Sequence, residues 1–164
     1  MSPAHADRSG SGPGAGMVAV LLANVAAAAF MTGLIWLVQL VHYPLMAGWP
    51  HDAFGGWETL HRDRIGPVVV PAMLFEGAAA VALLMRSPPR GPAWVPWAAA
   101  GLLLAVWGST FLLQVPCHER LAEGWDAAVH ARLVATNWIR TAGWTLRLVL
   151  LALLAARNLS CTAP

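Results

Sequence analysis

Two ionisable residues, Glu76 and Arg147, sit deep inside long apolar stretches of this 164-residue chain. Each lies about ten residues in from the same side, so both fall roughly 15 Å down a helix. Isolated charges at that depth in hydrocarbon are costly, and pairing them is the natural solution. The pair serves either as a structural ion pair that fixes helix register or as the charged floor of a ligand cavity.

Above that level the histidines collect. His42, His61, His118 and His130 all border the polar connectors of one side, whereas His5 stands alone on the other. Neutral imidazole is the commonest protein ligand for transition metals, and a haem takes axial histidines. His42, His61 and His118 are therefore the metal candidates, with a transition metal or haem as the cofactor. The competing expectation is a set of interfacial imidazoles touching water and headgroups. Glu58-x-x-His61 puts two ligands on one helical face, as di-metal carboxylate bundles do, but those need the motif twice and it occurs once. Asp126 and His130 are a loose echo of it, and His51, beside Pro50, is expected to face solvent.

The composition dictates what carries these groups. Hydrophobic residues make up 58% of the chain and charged residues 11%, too few to coat a soluble globule. Such hydrophobicity also excludes disorder for the bulk of the chain. The net charge of +2, with every basic residue Arg, leaves no nucleic-acid footprint. The expected partner is a lipid bilayer, together with a small apolar ligand. Four stretches, about 17–41, 66–85, 93–115 and 138–156, are long enough to cross a hydrocarbon core of about 30 Å. The first apolar stretch is too long for a signal-peptide core. Residues 1–16 read as a flexible tail rich in Gly, Ser, Pro and Ala, 17–157 as the membrane domain, and 158–164 as a second tail. The predicted fold is all-α, an integral membrane antiparallel four-helix bundle.

The short connector 86–93 shares a side with both termini, and the longer connectors, about 42–65 and 116–137, share the other. Arginines are tied at four on each side (Arg8, Arg86, Arg90 and Arg157 against Arg62, Arg64, Arg120 and Arg132), so the positive-inside rule does not decide. The expectation is that both termini are cytoplasmic. Cys117 and Cys161 then fall on opposite sides, which disfavours a disulfide. Trp49, Trp57, Trp94, Trp97 and Trp125 are expected to be interfacial anchors.

Projection at 100° per residue gives every span a polar stripe. Thr32, Trp36, Gln39, His42 and Tyr43 share one face. Trp107, Thr110 and Gln114 share another, joined by His118 if that helix continues. Asn137, Arg140, Thr141, Trp144 and Arg147 cluster on the last span. Lipid-facing polar groups are costly, so the stripes should face one another. Gln39, Glu76, Gln114, Asn137, Arg140 and Arg147 are accordingly the ligand-binding candidates. A duplicated helix pair is also suggested: Gln39-x-x-His42 matches Gln114-x-x-x-His118, and GWETLHR (56–62) matches GWDAAVHAR (124–132).

HYPLM (42–46), HRDRIGPVVVPAMLFE (61–76), QVPCHERL (114–121) and NWIRTAGWTLR (137–147) resemble a widespread bacterial family of small four-span membrane proteins. The likeness covers roughly residues 30–150, and the NWIRTxxWxxR block is its most specific part. It implies that His42, His61, Glu76, His118, Asn137, Arg140 and Arg147 belong to the family pattern, and it implies a bacterial cytoplasmic (inner) membrane location. More distantly, the four-span layout with Asn-x-x-Arg on the last helix is similar to the anthrone-oxygenase-like membrane proteins, which implies oxidation of polycyclic phenols. No P-loop, GxSxG, HExxH or dinucleotide fingerprint is present. The leading expectation is a membrane redox or oxygenase-type enzyme acting on a small apolar or phenolic ligand. The alternatives are a structural or partner subunit and a small binding or carrier protein.

Overall fold

The computed structural model describes residues 14–160, and the expectations for residues 1–13 and for Cys161 lie outside that range. Four helices run antiparallel: α1 (Ala15–Met46), α2 (Phe54–Leu84), α3 (Trp94–Ala122) and α4 (Ala127–Leu159). All four are long and apolar enough to cross a membrane. They form a ring in which α1 packs on α2, α2 on α3, α3 on α4, and α4 back on α1. Large apolar side chains such as Leu40, Leu74, Leu104, Leu112 and Leu153 cover the outside, as lipid-facing walls require.

The helices outrun the predicted spans on the histidine side. With 29–33 residues each, they are roughly 44–50 Å long, well beyond a hydrocarbon core of about 30 Å. The long connectors expected there are mostly helix: the breaks are only 47–53 and 123–126. His42, His61, His118 and His130 therefore all ride on helices, where the bundle fixes their positions. At the other end, α1 begins at Ala15 and α4 continues to Leu159.

Two of the helices carry the same irregularity. In α1 the turn Val38–His42 is π-helical, with the Tyr43 N–H donating to the Val38 carbonyl five residues back. In α3 the turn Thr110–Gln114 does the same, with the Val115 N–H donating to the Thr110 carbonyl. Pro44 and Pro116 follow at the same spacing. A proline ring clashes with the carbonyl four residues back and offers it no N–H, and a widened turn relieves the clash. The duplicated-pair expectation gains this shared device, but in a different register: it sets His42 against Gln114, where motif matching had aligned His42 with His118.

Close approaches hold the ring together. A Cβ on Gly143 of α4 would lie 2.5 Å from Val106 Cγ2 of α3, and one on Gly55 would lie 2.6 Å from the Ala122 carbonyl oxygen. Small residues let helices meet at backbone distance where no hydrophobic effect drives them together. On the termini side, Asn158 clips the connector: its Nδ2 donates to the Arg90 carbonyl at 2.7 Å and its Oδ1 accepts from the Arg90 N–H at 3.2 Å. Beside this clip Gly91 takes a φ of +110°, a conformation that favours glycine.

Mid-bundle, Glu76 and Arg147 meet as the depth count predicts. Arg147 Nη1 donates to Glu76 Oε1 at 2.5 Å, with both side chains buried. Trp144 Nε1 donates to the other carboxylate oxygen at 3.0 Å. Arg147 Nε donates to the Ala99 carbonyl at 3.2 Å and Nη2 to Asn24 Oδ1 at 3.3 Å. Asn24 Nδ2 donates in turn to the Ala79 carbonyl at 2.7 Å. One polar clasp thus joins all four helices.

Candidate functional site

A cavity of about 270 Å³ lies above this clasp, lined by residues of all four helices. Its walls are apolar, among them Met31, Ile35, Val69, Met73 and Phe111. Its polar groups gather toward the histidine end: Tyr43, His61, Gln114, His118 and Arg140. A mostly apolar pocket with a few convergent polar groups is the usual form of a small-molecule site, and this volume is near the lower end of the usual range of about 300–1,000 Å³.

His118 is the hub of the polar end. Its Nδ1 pairs with Glu58 Oε1 at 2.6 Å, and its Nε2 with the Tyr43 hydroxyl at 3.0 Å. With Glu58 as the carboxylate, Nδ1 carries the proton and Nε2 accepts from the Tyr43 O–H. The π turn of α1 sets the placement of Tyr43, whose own carbonyl accepts from His130 Nε2 at 2.9 Å. Glu58 is fully buried, and its Oε2 has no partner among the described residues.

Arg140 faces the Tyr43 hydroxyl from α4. It is 8% exposed, and no carboxylate lies within ion-pair reach of it among the described residues. Its guanidinium carbon lies 5.4 Å from the Trp144 ring centroid, a cation–π contact. Trp144 therefore presents its face to Arg140 and its N–H to Glu76, which links the cavity to the clasp beneath. Buried polar atoms are normally paired. Most of those left unpaired among the described residues surround this end: His42 Nε2, Glu58 Oε2, Trp107 Nε1, Gln114 Oε1, Asn137 Oδ1 and Arg140 Nε.

Of the ligand-binding candidates, only Gln114 and Arg140 line the cavity. Glu76 and Arg147 belong to the clasp, screened from the cavity by Trp144. Gln39 and Asn137 bond each other, Asn137 Nδ2 to Gln39 Oε1 at 2.8 Å, and pin α1 to α4. Of the metal candidates, His61 and His118 line the cavity and His42 lies behind His61. The rings of His42 and His61 are stacked 4.3 Å apart at 29°, so they present faces to each other and not converging lone pairs. Both nitrogens of His118 are engaged already. A haem held between two histidines needs their nitrogens opposed across the macrocycle, and stacked rings leave no such gap. Among the described residues, no group of three or more His, Cys, Asp or Glu is placed to hold a metal ion. The donor set therefore does not fit the metal or haem expected at these histidines.

Comparison with known proteins finds no matching family model, no similar curated protein and no similar solved structure.

Three further expectations change. Glu58 pairs with His118 across the bundle and forms no ligand pair with His61. Asp126 caps α4, accepting from the Ala128 and Val129 N–H groups. Trp49 and Trp125, expected as interfacial anchors, are partly buried against the core, whereas Trp57, Trp94 and Trp97 are exposed. With Phe54, Trp49 and Trp125 form an aromatic cap over the histidines; Trp125 also stacks on the exposed His51, ring centroids 4.6 Å apart. Sequence reading missed Tyr43 as a site residue and took Glu58 only as a metal-ligand partner of His61. The signals for them were Tyr43 on the inward stripe of its span and Glu58 three residues before His61.

Proposed function

We propose that this four-span membrane protein is an enzyme that binds an apolar phenol, or a ring ketone that can enolise, and removes a proton from it. The observation that carries this reading is the buried Arg140 guanidinium, without a carboxylate partner among the described residues, facing the hydroxyl of a Tyr43–His118–Glu58 chain at the end of an apolar cavity. A buried cation of this kind stabilises an oxyanion far better than it would in water. Tyr43 takes the substrate proton as its own passes to His118 Nε2, and Glu58 stabilises the resulting imidazolium. The substrate anion faces Arg140, so each charge formed has an opposite neighbour.

The resemblance to anthrone-oxygenase-like proteins extends the reading to oxidation. A deprotonated, electron-rich ring is the species that reacts with dioxygen. For a methylene beside a ring carbonyl the balance is CH₂ plus O₂ giving C=O plus H₂O. The chain's residues bind and deprotonate the substrate, and dioxygen is the oxidant. We assign the protein to a bacterial inner membrane, as its resemblance to the bacterial four-span family implies, with both termini cytoplasmic as the topology reading expects.

Proteoliposomes given a fused-ring phenol with such a methylene provide the test. Wild type is expected to bind it, read by tryptophan quenching, and to consume oxygen. Tyr43→Phe should keep binding and lower the rate by about 10²–10⁴, the usual contribution of general acid–base catalysis. Arg140→Gln should weaken both. Absence of binding and uptake in wild type, or a Tyr43→Phe rate equal to wild type, overturns the reading.

A further inference from the structure

The cavity does not end at the bundle's inner walls. Val70 and Leu74 of α2 and Phe111 of α3 line it, yet they are 55%, 63% and 59% exposed on the lipid-facing surface. They form the lips of an opening between α2 and α3. The backbone explains the gap. Helix α2 packs against α3 along Trp94–Ser109 and along Val115–Ala122, but stands off from the π turn Thr110–Gln114 between them. On the facing wall Pro67 and Pro71 interrupt the hydrogen-bond ladder of α2 at the same level. At its polar end, by contrast, the cavity stops at Tyr43, His61 and His118, beneath the aromatic cap.

We infer that this opening is a lateral portal through which the ligand enters from, and leaves to, the bilayer interior. The inference rests on the proposed cavity ligand but not on its chemistry. It narrows the ligand class to molecules that dissolve in hydrocarbon and carry one polar end. Such a molecule passes Phe111 with its apolar body and turns its oxygen up toward Arg140 and Tyr43. A permanently charged ligand is excluded, because its path crosses lipid where a charge is costly. The exposed lips make bulky substitutions tolerable, since an added ring at Leu74 or Val70 projects toward lipid and across the gap.

The portal is tested without any assay of turnover. A small uncharged aryl diazirine dissolved in proteoliposomes is photolysed, and the labelled residues are read by peptide mass spectrometry. Trp107 reports the cavity interior and Leu104, 69% exposed, reports the lipid-facing surface. Wild type is expected to be labelled at both. Leu74→Trp and Val70→Trp should each lower labelling at Trp107 by about tenfold, the change that ~1.4 kcal/mol of added barrier makes, while leaving Leu104 unchanged. Phe111→Ala should raise labelling at Trp107. Tyr43→Phe should leave it unaltered, so failure of the proposed chemistry and failure of the portal are separate results. If both tryptophan plugs leave Trp107 labelling as in wild type, or if a charged, water-soluble diazirine labels Trp107 as well as the uncharged one does, the portal is overturned.

Discussion

Glu76→Gln isolates the energetics of the mid-bundle clasp. The substitution keeps the side-chain volume and the acceptor for Trp144 Nε1 but removes the only carboxylate that Arg147 touches among the described residues. The guanidinium keeps two neutral acceptors, the Ala99 carbonyl and Asn24 Oδ1, at 3.2 and 3.3 Å. Breaking one side of a buried pair costs about 3–5 kcal/mol, because the stranded charge has neither water nor counter-ion. Arg147→Met is expected to cost less, since Glu76 alone can take up a proton and become neutral. The double variant Glu76→Gln, Arg147→Met has no buried charge left. Replacing a whole buried pair is often neutral or better, so it should recover about 2 kcal/mol relative to Glu76→Gln alone. Reversible unfolding in mixed detergent micelles, followed by helical circular dichroism, gives the three free energies. A double variant less stable than Glu76→Gln, or a coupling energy below about 0.5 kcal/mol, refutes the account of an energetically coupled pair.

Other positions give sharper structural tests. Gly143→Ala should cost about 1–3 kcal/mol through overpacking against Val106, and Val106→Ala in the same chain should restore most of it; thermal unfolding of the single and double variants checks this. Trp144→Phe keeps a ring beneath Arg140 but removes the N–H donated to Glu76, and should lower stability by about 1.5–3 kcal/mol, as loss of a hydrogen bond to a charged group does. Asn158→Leu removes both bonds to Arg90, and limited proteolysis at the 86–93 connector should speed up while the four helices stay protected.

The spans and their antiparallel order were readable from hydropathy alone. The Glu76–Arg147 contact followed from counting depth along two uninterrupted helices, because a rise of about 1.5 Å per residue converts sequence position into height. The rest of the clasp was not readable. Asn24 was simply an amide in an apolar run, and nothing local says that it spans from α1 to the Ala79 carbonyl. Trp144 sat on the inward stripe, but the partner of its N–H lies 68 residues away. The candidate site suffered more, for a physical reason. Projection at 100° per residue assumes an unbroken α-helix, and the π turns at Val38–His42 and Thr110–Gln114 break that phase just where the site begins. Trp36, placed inward by the projection, is partly exposed and bonds Thr145 near the α1–α4 surface. The histidines clustered as expected, yet ring stacking and pairing with Glu58 depend on side-chain geometry that spacing does not carry.

The twin π turns also say something about how such a protein can change over generations. A π turn holds one more residue than the α turn it replaces, so it marks a place where a helix can carry an extra residue without breaking. Below each turn the register is locked by the clasp; above it the chain is re-aimed by about 100°, one residue's worth of rotation. Loss of one codon within Val38–His42 would therefore leave the lower bundle assembled and swing Tyr43 away from His118 and Arg140. The two seams let the polar end be re-tuned by indels while the lower scaffold is inherited intact.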